Sequence, residues 1–415
     1  MGPGSEVEGV GLAFRRTLAP VLLFTVVCLT ALNLRSGIAS VAPVLGQIQD
    51  FFGISSGQAG LLTALPGLCF AAMGLAAVPI ARRVGLSRTL AGGTVALVAG
   101  LGLRPWVSSF PLFVALTLCV VAGIALANVL LPAWIKQHGS GRTLVALMTT
   151  YTTMLGVSSA LGPLSAVTQK SWQGALWIWC LPAIAQLVAW IVVLPKAGKD
   201  VAHGTVDGAG AQRPMFTSPT AVAMLFFFGL QSTMAYVQMG WLPRMLVEKG
   251  VSENTASVAL AVIGVFNILG GVVMPWLISR LNRLTPVPVV LSLCTCAGWG
   301  GVLVAADAAP LIWASLMGSG GMCFPLALAL LTARTRTAFT TARLSGFVQP
   351  GGYVLAGLVP LSVGVVRGVT GDWTAVLIGL MVLCFCMLVA GLRATTRVYM
   401  TTSSLPSWFS TVYCL

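Results

Sequence analysis

The chain has 415 residues, 57% of them hydrophobic and only 8% charged, and its mean hydropathy is +0.95. A soluble domain carries about 25% charged residues, so this composition excludes an ordinary water-soluble fold and points to a polytopic membrane protein. The net charge of +14 is scattered through short connectors and forms no basic stripe with interleaved aromatics, which argues against nucleic acid as a partner.

Apolar runs follow one another along the chain at 18–43, 57–80, 88–107, 111–135, 142–167 and 173–194, then at 218–243, 254–279, 285–306, 310–333, 342–366 and 373–393. Each reaches the ~20 residues that an α-helix needs to cross the hydrocarbon core. The first follows Arg15 and Arg16 in the manner of a signal peptide, but it runs on with no small-residue cleavage site and reads as a first span. The polar, Gly/Ala-rich stretch PKAGKDVAHGTVDGAGAQRP, Pro195 to Pro214, reads as a linker. The expected division is a six-helix bundle over 1–194, a linker over 195–214, a second bundle over 215–398 and a tail over 399–415.

Orientation follows from the basic residues. With the N-terminus inside, cytoplasmic segments hold 17 Lys and Arg and outer segments hold 5, Arg104 among the latter. Both termini are therefore expected in the cytoplasm of a cell with the chain in its inner membrane. The tail has no function that the sequence reveals.

The halves repeat at an offset near 200 residues. Pro43 and Pro243 end the first and seventh runs, Gly53-Ile54-Ser55 matches Gly250-Val251-Ser252, and PLS recurs at Pro163 and Pro360. A duplicated six-span unit joined by a linker suits two halves that rock about a central site. The layout resembles the major facilitator superfamily, and ARRVGLSRTL (Ala81 to Leu90) is similar to its signature loop, with Arg82 where an aspartate is expected. LNLRSGIASVAPVL, NVLLPAWIKQH, GLQSTMAYVQMGWLP and LSGFVQPGGYVLAGLVPL resemble the cyanate permease and 2-nitroimidazole transporter subgroup. That resemblance implies twelve helices in two pseudo-symmetric bundles and a carrier working by alternating access.

Arg35 is the outstanding residue, because a guanidinium in a span costs at least ~2.5–3.5 kcal/mol unless it faces a cavity or a partner. It lies ~6 Å beyond the middle of the first run, too deep to reach the interface easily. No Asp or Glu falls at the centre of any run to pair with it, so an anion-binding role in a central cavity is expected. The alternative is an arginine bonded to carbonyls between helices. Asn33, about 200° round the helix from Arg35, is a secondary candidate whose amide can equally bond a neighbouring helix.

Asn128 and Pro132 share a face of the fourth run, and the proline frees the Asn128 carbonyl. Gln231 and Gln238 lie seven apart with Trp241 near their stripe, which reads as a cavity wall. Tyr236 falls opposite Arg35 at the repeat offset. Gln349 and Tyr353 share a face beside Pro350 and Gly351, which weaken the helix. Each of these polar groups is equally readable as a satisfied interhelix contact. Gly156, Gly162 and Pro163 resemble an antiporter motif, although small residues at this spacing also simply permit close packing.

Both histidines and all nine acidic residues fall in connectors or near run ends, so no buried proton relay is expected. Nine of the ten cysteines lie within apolar runs, and the set suggests neither disulfides nor a metal site. No Walker loop or catalytic cluster is present. The expectation is a transporter without cofactor, working as a monomer on a small anion, or alternatively on neutral or cationic drug-like solutes such as nitroimidazoles.

Overall fold

The computed structural model describes residues 19–197, 200, 215–281, 283–333 and 338–395. The start of the chain, most of the predicted linker and the tail lie outside the described residues. Twelve helical spans account for nearly all of the rest, since in hydrocarbon every backbone N–H and C=O must find its partner within the segment. The first six are Pro20–Phe52, Ser56–Val84, Leu86–Trp106, Phe110–His138, Gly141–Thr168 and Trp172–Ala197. The second six are Pro219–Glu248, Glu253–Ile278, Pro286–Ala305, Pro310–Leu331, Arg343–Thr370 and Thr374–Thr395.

Local chemistry sets the ends. Ser55 and Gln58 form a capping box at the start of the second span, and Ser218 and Ser252 cap the seventh and eighth. Prolines open the first, seventh, ninth and tenth spans at positions where a missing N–H costs nothing. Gly53, at φ +63°, ends the first.

Two predicted ends move. The first run does not stop at Pro43: helix Pro20–Ala39 gives way to a short 3₁₀ turn, Ala42–Val44, and resumes as Leu45–Phe52. Pro243 likewise sits inside the seventh helix, which continues to Glu248. In a packed membrane bundle neighbouring groups re-satisfy the backbone around a proline, so the ring does not have to end the helix.

The two halves repeat the same packing. Spans one with five, one with six, three with four and three with six correspond to seven with eleven, seven with twelve, nine with ten and nine with twelve. Spans two and eleven, and five and eight, join the halves. Spans three, six, nine and twelve carry exposed apolar side chains such as Val188, Ile191, Val304 and Phe385, which suits a surface against lipid.

The joints need small residues. A Cβ on Gly67 would strike the backbone of Gly357, and one on Gly264 would strike that of Ala160, so only glycine lets these helices cross so closely. On the face opposite the linker the bundle is closed: Trp241 Nε1 donates to the Pro360 carbonyl at 3.0 Å, and Gly240 packs on Thr63. There Glu248 accepts from Arg244 (2.6 Å), Arg367 (2.8 Å) and Trp373 Nε1 (2.7 Å). On the linker face Asp200 is buried against the start of the third span. Its carboxylate accepts from the Ser87 amide (3.0 Å) and hydroxyl, its carbonyl accepts from the Leu86 amide (2.9 Å), and Trp134 Nε1 donates to Ser87 Oγ (2.8 Å).

Candidate functional site: a central cavity between the halves

A cavity of about 620 Å³ lies between the halves. Its walls come from spans one, two, four and five on one side and seven, eight, ten and eleven on the other. Most lining positions lie in the linker-side portions of spans four, five, eight, ten and eleven, so the cavity is displaced towards the linker face.

Arg35 is the only charged side chain in this wall among the described residues, and it forms no ion pair there. The backbone beneath it is fixed by Ser158 of the fifth span, whose hydroxyl accepts from the amides of Arg35 (3.1 Å) and Ser36 (2.8 Å). Its charge acts on the hydroxyls of Tyr151, Tyr236 and Tyr353, and Tyr236 Oη faces it without a hydrogen bond of ordinary geometry. Three of the chain's five tyrosines thus surround one guanidinium. Tyr151 Oη also donates to Asn128 Oδ1 at 3.3 Å, tying the fifth span to the fourth.

Aromatic rings hold the two halves together at this level. Phe70 of the second span lies 5.3 Å from the Tyr353 ring and 6.2 Å from the Tyr236 ring, and Phe228 meets Tyr353 edge-on at 5.2 Å. The amides face the cavity with donors partly engaged: Gln231 Nε2 donates to Ser232 Oγ (2.7 Å) and the Phe228 carbonyl (3.1 Å), and Gln349 Nε2 to Ser345 Oγ (3.4 Å). The arrangement is one fixed positive charge in a ring of phenols, amides and hydroxyls, able to hold a small polar or anionic solute but holding no acid, base or metal cluster for chemistry among the described residues.

A family model described as Major Facilitator Superfamily matches residues 23–360. The chain belongs to the major facilitator superfamily. This facilitator is 32% identical over 382 residues to the 2-nitroimidazole transporter of Escherichia coli (strain K12), covering 90% of this chain and 95% of that one. It is 28% identical over 357 residues to the cyanate transport protein of the same organism, covering 85% and 91%. Its fold matches the crystal structure of a D-xylose-proton symporter with TM-score 0.71 at 14% identity, over 93% of this chain and 100% of that one. It is a transporter and not an enzyme, in keeping with that family.

Of the residues singled out from sequence, the facilitator gathers Arg35, Asn128, Pro132, Gly156, Gln231, Tyr236, Gln349, Pro350 and Tyr353 at the cavity. Six others lie outside it. Asn33 points to the sixth span, where Nδ2 donates to Gln186 Oε1 at 2.9 Å, as its position across the helix from Arg35 requires. In the seventh span the cavity-facing row is Gln231, Ala235 and Met239 beside Ser232 and Tyr236, with Gln231 on its edge. Gln238 and Trp241 fall past that edge into protein contacts: Gln238 is buried, and Trp241 packs on Pro360 and the Trp373 ring. Gly162 packs on Ser36 and Ala39 of the first span, Pro163 is buried in the fifth helix, and Gly351 packs on Leu225.

Phe70, Tyr151, Ser159, Met239 and Asn267 line the wall and were not anticipated. Tyr151 carried a usable signal, since a phenol inside a span needs a partner for its hydroxyl. Phe70 carried none, because a phenylalanine facing a cavity and one facing lipid read alike.

Proposed function

We propose that this facilitator carries a small anion, cyanate-like or a comparable inorganic or carboxylate ion, by alternating access of the central cavity. One observation carries the reading. Arg35 presents a guanidinium to the cavity with no carboxylate beside it among the described residues, and a planar fork of donors binds such an anion well. Among the described residues no histidine or acid lines the wall, which favours uniport or anion exchange over proton coupling. The excess of Lys and Arg on the linker side supports cytoplasmic termini, and hence a cavity displaced towards the cytoplasm of a cell with the chain in its inner membrane. One chain carries both halves, so the monomer is the proposed working unit.

The test is uptake of radiolabelled cyanate into proteoliposomes by wild type, Arg35→Lys and Arg35→Ala. Saturable uptake that is abolished in Ala and weak in Lys is expected. Equal uptake by all three, in folded protein, would refute the role of Arg35.

A second reading has its own support. The cavity of about 620 Å³ far exceeds a triatomic ion, and rings of Phe70, Tyr236 and Tyr353 suit a planar solute. Together with the 2-nitroimidazole transporter among its relatives, this favours neutral or cationic drug-like solutes as the alternative cargo. Uptake of a labelled nitroimidazole that is indifferent to Arg35→Ala would select it.

A further inference from the structure

Arg104 was expected in an outer segment, yet it is 0% exposed. It closes the third span, and only Nη2 has a partner, the Gly37 carbonyl of the first span at 3.0 Å. That carbonyl is free because the chain tightens after the first helix, where the Val41 amide bonds the Ile38 carbonyl instead. Arg104 Nε and Nη1 are buried with no acceptor, and so is Thr117 Oγ1. No acidic side chain among the described residues compensates the charge.

These groups line a second, small cavity of about 20 Å³ on the side away from the linker, with Gly37, Thr63 and Gly240. A space of this size holds one water-sized particle. A water would satisfy donors but would leave a buried positive charge unbalanced, and an uncompensated buried charge is severely destabilising. Tyr236 and Met239 line both this cavity and the central one, so a single layer of side chains separates the two.

We infer that the Arg104–Thr117 cavity is a second anion site, built to hold one small monovalent anion, a halide or the end of a linear triatomic ion. Arg104 Nε and Nη1 and the Thr117 hydroxyl supply its donors, and the ion supplies the counter-charge the fold lacks. The inference stands on the burial of Arg104 and does not need the central cavity to carry anions.

The experiment is thermal melting of the purified full-length protein in sodium chloride, sodium azide or sodium gluconate at equal ionic strength. Gluconate is too large to enter, and azide has the shape and charge of cyanate. Wild type is expected to melt higher in chloride or azide than in gluconate, because an ion that binds only the folded state raises the midpoint. Stabilisation by chloride marks a general halide site, and stabilisation by azide alone marks one shaped for a linear ion; both support the inference.

Arg35→Gln, which removes the guanidinium of the central cavity, is expected to keep this anion dependence, and Arg35→Gln with Arg104→Gln is expected to lose it. Equal melting of wild type in all three salts would overturn the site. So would dependence that survives in the double variant or vanishes in Arg35→Gln. If the double variant fails to fold, wild-type crystals soaked in bromide and in azide decide the matter. A bromide anomalous peak or linear azide density between Arg104 and Thr117 upholds the site, and the absence of both removes it.

Discussion

A single arginine was readable at once and another was not, and the difference is one of context. Arg35 interrupts a long apolar run, so the cost of burying it announces a cavity or a partner before any coordinates exist. Arg104 stands at the end of a run beside Pro105, where sequence places it in water; only the packing of the first span over it shows it buried. The rotation of side chains about nearly all-apolar helices was also illegible, since such helices have no strong polar face to orient them. Asn33 and Gln349 illustrate both outcomes and give a paired prediction. Asn33 joins Gln186, whose Nε2 donates to Thr94 Oγ1 at 2.9 Å, in a buried chain across spans one, six and three. Asn33→Ala leaves Gln186 without a donor and is expected to cost about 1–3 kcal/mol, lowering the melting midpoint while leaving the KM of uptake unchanged. Gln349→Ala is expected to raise that KM several-fold with little change in melting.

At the level of elements, the number and order of the spans were legible because each needs the same length of apolar chain. Their ends were less so: Pro43 and Pro243 looked like stops, and the helical path runs past both. The joints between the halves rest on close helix crossings, above all Gly67 against Gly357. Gly67→Ala places a methyl group into that backbone, and overpacking of this kind costs about 1–3 kcal/mol. The strain falls on the closed face, so the variant is expected to populate the opposite, open arrangement more often. An increase of about 5–150-fold in the rate at which a membrane-impermeant maleimide labels Thr63→Cys, in a background without other cysteines, would measure it. An unchanged labelling rate would show that the crossing tolerates the methyl group.

For the whole molecule, the duplication at an offset near 200 residues foretold the matched packing of the halves. What the chain could not show is where the first half stops. Composition puts the boundary at Pro195, but the sixth helix continues to Ala197 and Asp200 is bonded to Ser87 and Leu86 at the head of the third span. The loop Ala81 to Leu90, which resembles a signature loop with Arg82 where that resemblance implies an aspartate, thus has a carboxylate delivered beside its end from Asp200. This matters for anyone who wishes to cut the gene in two. Halves co-expressed from a break after Asp200 should assemble and transport, whereas a break before Pro195 would strand that carboxylate on the wrong fragment and yield less assembled carrier, as co-purification of the two pieces would reveal.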